Sequence, residues 1–316
     1  MRAVEIHEGA LEIVEQGDPQ PGPRDVVVAV RAAGINSADR LQLQGFYPAP
    51  PGWPQKIPGL EMAGIVSRVG VDVHDALLGR RVCGIVGGGA QATHCAIPVE
   101  HLTFVPENID WNEAGGFAEA FTTAHDALVT QGELREGKRV LISGATGGVG
   151  TAAIQIAHLL GAHVTAVTRT DEHHRALHEL GANETVILDD VTSLEPVDLV
   201  VELVGAKHLA LAQQVLAPFA RVVAIGVGNG GSRLEVDLHV IMAKRATYTG
   251  STLRSRSREE KAQVIARVNE TLVPLWAGGD LKVLLARSFS LDDAALAYDY
   301  FAQPGKLGKV TLRVDE

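Results

Sequence analysis

A glycine-rich stretch at residues 139–158, RVLISGATGGVGTAAIQIAH, limits the possible folds of this chain more than any other segment. It begins with apolar or small residues, 140–143, that suit a strand buried on both faces. Four glycines at 144, 147, 148 and 150 follow, and then an apolar helical pattern. Strand, glycine turn and helix in this order form the context in which a dinucleotide-binding fingerprint is credible.

The fingerprint begins at Ala145 and reads A-x-G-x-x-G, with alanine in the place of the first glycine. Gly147 would let the backbone approach a pyrophosphate, and Gly150 would let the helix pack close to the strand. The start of the helix would offer free N–H groups to the phosphates. The pattern therefore predicts nucleotide binding, although a glycine turn can also simply connect a strand to a helix.

Composition excludes several classes of protein. A chain of 316 residues with 46% hydrophobic and 21% charged residues is typical of a soluble globular protein and long enough for two domains. The net charge of −10 argues against a nucleic-acid or membrane partner. Two cysteines, Cys83 and Cys95, are too few for a disulfide framework. With no apolar core near Met1 and no run long enough to span a membrane, we expect a cytoplasmic protein.

The rhythm of the chain predicts two domains. Residues 1–118 contain short strands separated by Gly and Pro turns, which favours a small β barrel. From about residue 119, strands alternate with helices, which is typical of a doubly wound parallel sheet. A last strand at 309–314 is expected to return to the first domain. The predicted domains are therefore 1–118 with 252–316, and 119–251.

Two local patterns bear on helices and loops. A long helix is predicted over residues 257–276 from its apolar stripe. The proline-rich loop at 44–53 carries Phe46, Tyr47 and Trp53; packing onto the body is expected for Phe46 and Trp53, whereas Tyr47, with its hydroxyl, could pack or line a pocket.

The choice between NAD and NADP is made at the end of the second strand of the nucleotide-binding unit. Here the residues are Thr168, Arg169 and Thr170, with no Asp or Glu at the strand tip. Arg169 could pair with the 2′-phosphate of NADP, or it could be a solvated loop arginine. Asp171 and Glu172 are expected to form an N-cap and a first helical turn. NADPH is the predicted cofactor.

No metal site is predicted. His173 and His174 are neighbours on a helix, so their side chains diverge. Cys83 and Cys95 lack the spacing of metal ligands, and His94 and Cys95 alternate across a strand.

Seven segments resemble one family nearly end to end: residues 33–39, 44–48, 58–64, 120–124, the fingerprint, 250–256 and 308–312. They are similar to the zinc-free, zeta-crystallin-like quinone oxidoreductase branch of the medium-chain dehydrogenase/reductase superfamily. Zinc alcohol dehydrogenases of that superfamily have a cysteine where this chain has Asn36 and a histidine where it has Leu60. The resemblance implies an α/β protein that joins a Rossmann doubly wound parallel sheet to a GroES-like, mainly β barrel domain.

The resemblance also implies an activity and its residues. It implies NADPH-dependent reduction of a quinone by metal-independent hydride transfer, with Tyr47 and Asn36 orienting the substrate and stabilising the developing oxyanion. Asn36 could instead contact the cofactor. The further cofactor-binding residues implied are Thr123, Ala145, Thr146, Gly147, Gly148, Val149, Thr168, Arg169, Leu203, Val204, Gly226, Val227, Ser251, Leu253, Arg254 and Lys309.

Departures and alternatives remain. Family members commonly have a lysine where this chain has His173 and a tyrosine where it has Leu188, and this chain lacks about ten residues of the family pattern between 186 and 198. Arg169 is thus left as the main phosphate partner. The acceptor could also be an alkenal, an enone or an enoyl thioester, and a low-turnover NADPH-binding sensor or crystallin-like protein is the alternative outside catalysis. The family also implies a homodimer formed through residues 247–249.

Overall fold

The computed structural model describes residues 1–228 and 230–314. The chain divides into two compact units. We call Met1–Thr122 with Leu253–Glu316 the β unit, and Thr123–Thr252 the parallel-sheet unit. The functional domains expected from the sequence, with boundaries at 118 and 251, stay a prediction.

The described ranges contain strands β1 to β15 and helices α1 to α10. In chain order the strands are Arg2–His7, Ala10–Glu15, Asp25–Ile35, Glu61–Val69, Arg81–Ile85, His94–Pro98, Leu102–Phe104, Arg139–Ile142, His163–Thr168, Glu184–Ile187, Val197–Glu202, Leu216–Ala224, Thr247–Gly250, Leu285–Ser290 and Lys309–Arg313. The helices are Ser37–Leu43, Trp111–Ala114, Ala118–His125, Gly148–Leu159, His174–Glu179, Ala206–Ala212, Leu238–Lys244, Arg258–Thr271, Val273–Gly278 and Ala294–Ala302. Short 3-10 or π turns occupy Asp75–Leu77, Val99–His101, Asp126–Gln131, Leu188–Ser193, Gln213–Val215 and Leu291–Asp293.

The β unit is built around strand β3. Its Val-rich sequence is buried along most of its length and pairs antiparallel with β4, β6 and β15. The main path of the sheet runs β14-β15-β3-β4-β5-β7, and β1 with β2 forms a separate hairpin. Strand β15 therefore joins the first domain, as the sequence predicts. Its first residue, Lys309, lies close to the end of β3 that leads into α1.

The parallel-sheet unit has the strand order β10-β9-β8-β11-β12-β13, and every pair is parallel. This is the doubly wound order 3-2-1-4-5-6 of dinucleotide-binding sheets, so the predicted doubly wound sheet is confirmed. In such sheets ligands bind outside the carboxyl ends of the strands. Strand β13 lies at the sheet edge, where the predicted dimer contact would form; the dimer itself stays a prediction.

Two predicted helices differ from the structure. The helix expected over 257–276 is divided into α8 and α9 at Leu272, because Pro274 lies in the first turn of α9 and cannot continue the ladder of hydrogen bonds. Asp171 and Glu172 do not cap or open a helix, since α5 begins at His174 and the two acids lie in the turn before it.

No helix in the described residues combines the length and the apolar character needed to cross a membrane.

Candidate functional site

The glycine turn after β8 is shaped by steric contacts. Gly144 has a φ of +60°, and a Cβ added to Gly150 would lie 2.7 Å from the Cα of Ala145. Only glycine can therefore let α4 approach the strand so closely. At Gly147, by contrast, an added Cβ would meet nothing nearer than 3.4 Å, and the residue is exposed.

Gly147 is also the N-cap of α4 and forms no side-chain capping bond. The first backbone N–H groups of this twelve-residue helix therefore have no side-chain acceptor at the cap. Together with the open backbone at Gly147, they form what we call the backbone cradle. This cradle fits the pyrophosphate of a dinucleotide. The predicted residues Ala145, Thr146, Gly148 and Val149 belong to the same turn and helix start.

The other predicted cofactor residues of this unit follow neighbouring strands at the same sheet edge. Leu203 and Val204 come directly after β11, and Gly226 and Val227 come shortly after β12. A Cβ on Gly226 would lie 2.6 Å from the carbonyl oxygen of Leu203, so these two loops are packed backbone to backbone. Ser251 follows β13, and its hydroxyl donates to Asp126 at 2.8 Å.

Glu202, at the end of β11, holds the loops at this edge of the sheet together through hydrogen bonds. Its Oε1 accepts hydrogen bonds from the hydroxyl of Ser143 at 2.7 Å and from the backbone N–H groups of Val204 at 2.6 Å and Gly205 at 2.7 Å. Ser143 in turn accepts a bond of 2.8 Å from the N–H of Leu203. Burial raises the pKa of Glu202. The carboxylate therefore ties the glycine turn to the loop after β11.

The end of β9 carries the residues predicted to select the cofactor. Thr168 is buried, and its hydroxyl lies 2.9 Å from both the carbonyl of Thr170 and Nε2 of His174, so it organises the turn. Arg169 is exposed, and no carboxylate of the described residues forms an ion pair with it. Desolvation, and then the charge of Arg169, lowers the pKa of His208. The guanidinium is therefore near the start of α6 and available to an anion.

Thr123, also predicted to contact the cofactor, is a buried residue of α3. The structure shows only its place on this helix, and its contact with a cofactor stays a prediction.

In the β unit, three residues far apart in sequence form a buried polar network. The ammonium of Lys309 donates to Glu61 Oε1 at 2.5 Å, to Asn36 Oδ1 at 2.7 Å and to the carbonyl of Ile35 at 3.2 Å. Asn36 donates its amide to Glu61 Oε1 at 3.0 Å. Because an ammonium has three donors, Lys309 is fully used here, and the Asn36 amide is held at both ends.

Gly34 makes this network possible. An added Cβ at this position would lie 2.7 Å both from Cδ of Glu61 and from the carbonyl oxygen of Gly115. No side chain fits beside the carboxylate, so the end of β3 must be glycine.

Two further carboxyl groups, those of Asp39 and Glu119, lie beside this network. Burial raises the pKa of Asp39 to about 6, although its oxygens accept from the N–H groups of Asn36 at 2.8 Å and Gly59 at 3.0 Å. Burial, and then the negative charge of Glu61, raises the pKa of Glu119 to about 7. The N–H of Glu119 donates to Glu61 Oε2 at 2.8 Å, and its own buried Oε2 has no hydrogen-bond partner in the described structure.

Tyr47 is positioned by Arg254. The guanidinium donates to the carbonyl of Tyr47 at 2.8 Å, to the carbonyl of Gly87 at 2.9 Å and to Gln42 Oε1 at 2.5 Å. It also lies 5.1 Å from the centre of the Tyr47 ring. Arg254 is itself buried, as is its neighbour Leu253. In this arrangement Arg254 orders the Tyr47 loop.

One expectation for this loop is wrong. Phe46 does not pack onto the body, since 78% of its surface is exposed. Trp53 is half-buried and packs against the core of the β unit. The proline-rich loop therefore presents one aromatic side chain to solvent and anchors with another.

No group of three or more His, Cys, Asp or Glu side chains in residues 1–228 and 230–314 could hold a metal ion. Leu60 is buried, and the Asn36 amide is bonded to Glu61 and Lys309.

The most important residues not singled out from the sequence are Glu61, Glu119 and Glu202. Two of them carried a visible signal, because Glu61 and Glu202 each interrupt an apolar run in a strand. A charge that a strand carries into the interior needs partners, and such positions are candidates for a polar network. Glu119, on a helix of mixed composition, carried no comparable signal.

Comparison with known families places these features in context. Residues 22–133 match the alcohol dehydrogenase GroES-like domain, and residues 148–270 match the zinc-binding dehydrogenase family. Together these two matches cover most of the chain, which belongs to the medium-chain dehydrogenase/reductase superfamily. The predicted combination of a Rossmann-like sheet with a GroES-like domain is confirmed.

Within the superfamily, the chain is similar to quinone oxidoreductases. It is 28% identical to rat quinone oxidoreductase over 99% of this chain and 97% of the relative. The crystal structure of Escherichia coli quinone oxidoreductase complexed with NADPH superposes with a TM-score of 0.88, at 25% identity, over 99% of this chain and 100% of the other. These relatives confirm the predicted resemblance to the quinone oxidoreductase branch.

A third relative is much longer. The chain is 31% identical to part of a phenolphthiocerol/phthiocerol polyketide synthase of Mycobacterium tuberculosis, over 99% of this chain. It spans only 14% of that relative's length.

Proposed function

We propose that this protein is an NADPH-dependent quinone oxidoreductase that works without a metal. The observation that carries the proposal is the open backbone cradle at Gly147 beside an exposed arginine, Arg169, at the end of the next strand of the sheet. A dinucleotide with an additional phosphate would find an N–H-rich turn for its pyrophosphate and a forked cation for its 2′-phosphate. The similarity to quinone oxidoreductases over the whole chain supports the same function.

When bound, NADPH supplies a hydride. The residues of this chain would bind the cofactor, orient the acceptor and polarise its carbonyl group. Gly148 and Val149, the first residues of α4, would bind the pyrophosphate through their N–H groups, and Arg169 would hold the 2′-phosphate. Thr123, Leu203, Gly226 and the other implied residues would line the remainder of the cofactor.

At the acceptor, negative charge develops on a carbonyl oxygen, which needs hydrogen-bond donors held in place. We assign that role to the hydroxyl of Tyr47 and the amide of Asn36. Glu61 and Lys309 fix the orientation of the amide, because they occupy one of its N–H groups and its oxygen. An amide has two N–H donors, so one is left for the substrate.

A single set of assays tests both cofactor and acceptor. NADPH and NADH oxidation are measured against quinones, enones and enoyl thioesters with the native protein and with Arg169→Ala. We expect quinones to be reduced fastest, and the variant to raise the KM for NADPH about 10- to 100-fold, since charge-assisted bonds contribute about 1.5–3 kcal/mol. The KM for NADH should stay unchanged.

Arg175→Ala is the matched control, because Arg175 is an exposed arginine of the following helix that pairs with Glu179 at 3.0 Å. It should leave both KM values unchanged. An Arg169→Ala variant that loses nothing with NADPH rules out the cofactor assignment. Faster turnover of enones or thioesters would favour the alternative acceptors, and tight NADPH binding without any oxidation would favour a sensor or a crystallin-like protein.

A further inference from the structure

The β unit contains a cavity of about 480 Å³ that the proposed function does not use. Its walls include Trp53, Pro54, His101, Arg258 and Lys261. Neither Asn36 nor Tyr47 lines it, nor does any residue of the glycine turn. Cavities of this volume hold small organic molecules.

Lys261 is the most unusual residue of the cavity wall. Its side chain is almost fully buried, with 2% exposed. The ammonium makes one long hydrogen bond, of 3.5 Å, to the carbonyl of Arg254. Across the part of the chain that the structure describes, no carboxylate forms an ion pair with it, and Glu119 acts on it only from a greater distance. A buried cation without an ion pair costs several kcal/mol, which an anion in the cavity would offset.

The other charged groups of this wall already compensate one another in part. Arg258 forms ion pairs with Asp25 at 3.0 Å and with Glu100 at 2.6 Å. Arg256 adds a further positive charge to the wall. Lys261 is therefore the buried cation of this wall that lacks a counter-charge among the described residues. One negative charge on a ligand is enough to compensate it.

A second buried polar atom lies on the wall. Nε2 of His101 lies 3.0 Å from the carbonyl of Arg258, while Nδ1 is buried without a hydrogen-bond partner in the described structure. Such an atom ordinarily has a partner, so this part of the wall suits a ligand with polar groups.

Trp53 gives the cavity a flat apolar wall. The ammonium of Lys261 lies 5.7 Å from the centre of the Trp53 ring. The ring rests on a glycine run, because a Cβ added at Gly87 would lie 2.5 Å from Trp53 and one added at Gly89 would lie 2.9 Å from Pro54. The glycines therefore hold the indole in position, where a planar molecule can pack against it.

We propose that this cavity binds a small aromatic monocarboxylate, with its carboxylate on Lys261 and its ring against Trp53. The ligand lies outside the residues assigned to quinone reduction. The site is a second small-molecule site within the β unit.

The test uses 2-naphthoate as probe and 2-naphthylmethanol as its neutral counterpart, titrated calorimetrically into the full chain. We expect 2-naphthoate to bind at least tenfold more tightly than the alcohol. Lys261→Met should weaken 2-naphthoate binding about 10- to 100-fold and change binding of the alcohol less than twofold. Lys261→Arg should keep most of the affinity for the carboxylate, and Trp53→Leu should weaken both probes.

Thermal unfolding of each variant shows that it is folded. Lys261→Met should unfold at the same or a higher temperature, because it replaces a buried unpaired charge by an apolar chain of similar length. Tyr47→Phe should leave 2-naphthoate binding unchanged. The proposal is overturned if 2-naphthoate does not bind, if Lys261→Met binds it as well as the native protein does, or if Tyr47→Phe abolishes binding and so places the anion at the predicted substrate site.

Discussion

Glu61 in the β unit and Glu202 in the parallel-sheet unit are both buried carboxylates at strand ends, yet the Oε1 atom of each accepts its hydrogen bonds from different kinds of donor. Glu61 is paired with an ammonium 248 residues away, that of Lys309. Glu202 is held by N–H groups two and three residues away and by the hydroxyl of Ser143, which directly follows the neighbouring strand β8. One carboxylate depends on a distant charge and the other on neutral donors close by.

The difference teaches how each site is built. A local set of N–H donors forms as soon as the strand and its loop fold, and it needs no counter-charge. A buried ion pair is acceptable only when both partners are in place, since each ion alone is costly to bury. We therefore expect the β unit to respond more strongly to loss of one polar partner than the parallel-sheet unit does.

The largest effect is predicted for Lys309→Met. The substitution leaves Glu61 buried without its ammonium, so the free energy of unfolding should fall by about 3–5 kcal/mol. Urea denaturation at neutral pH measures this change. Addition of Glu61→Gln to Lys309→Met should restore a large part of the loss, because the uncompensated charge is gone. If the double variant is as unstable as the sum of the two single variants, the pair is not coupled as described.

An intermediate effect is predicted for Glu119→Gln, as a change in pH dependence. The pKa of Glu119 is about 7 in the folded protein, above the value of 4.5 expected without burial. Protonation therefore favours folding: the stabilising contribution is complete below about pH 4.5 and is lost as the pH rises through 7. Relative to the native protein, Glu119→Gln should gain about 2 kcal/mol between pH 5 and pH 8.

Urea denaturation of both proteins across this pH range measures the gain. Two stability curves that run parallel from pH 5 to pH 8 would show that Glu119 titrates normally. In that case Glu61 would not act on it through a shared buried environment.

The smallest effect is predicted for Ser143→Ala. Glu202 keeps its two backbone donors, so the loss should be about 1.5 kcal/mol, the lower end of the range for one hydrogen bond to a charged group. Ser193→Ala is the matched control, since the Ser193 hydroxyl donates to a carbonyl in an exposed turn, and its loss should cost under about 0.5 kcal/mol. A loss as large as that of Lys309→Met would contradict the contrast between the two carboxylates.

Much of the fold follows from sequence patterns because they are local. The strand, glycine turn and helix at 139–158 are visible in the spacing of the residues, and the steric need for Gly150 follows from the same geometry. The break between α8 and α9 was also visible, in Pro274, but the apolar stripe continues across it and favoured one helix. Where periodicity and a proline disagreed, the proline was decisive.

The candidate site was only partly predictable. Asn36 and Lys309 were implied separately by family resemblance, yet nothing in the sequence shows that the lysine uses its three donors within the β unit. That fact depends on the pairing of β15 with β3, which brings positions 273 residues apart into contact. The cavity beside Lys261 is likewise invisible in the sequence, because only the structure shows that no carboxylate of the described residues forms an ion pair with this lysine.

The pairing of β15 with β3 also has a consequence for the order of folding. Closing a loop this long carries a large entropic cost, and contacts of high sequence separation form late. The parallel-sheet unit is a continuous segment and can fold before that closure. The β unit cannot bury Glu61 stably until β15 has been synthesised and docked, so the β unit should be the last part of the protein to assemble on the ribosome. A mutation that slows the docking of β15 would then lower the yield of folded protein without altering its final structure.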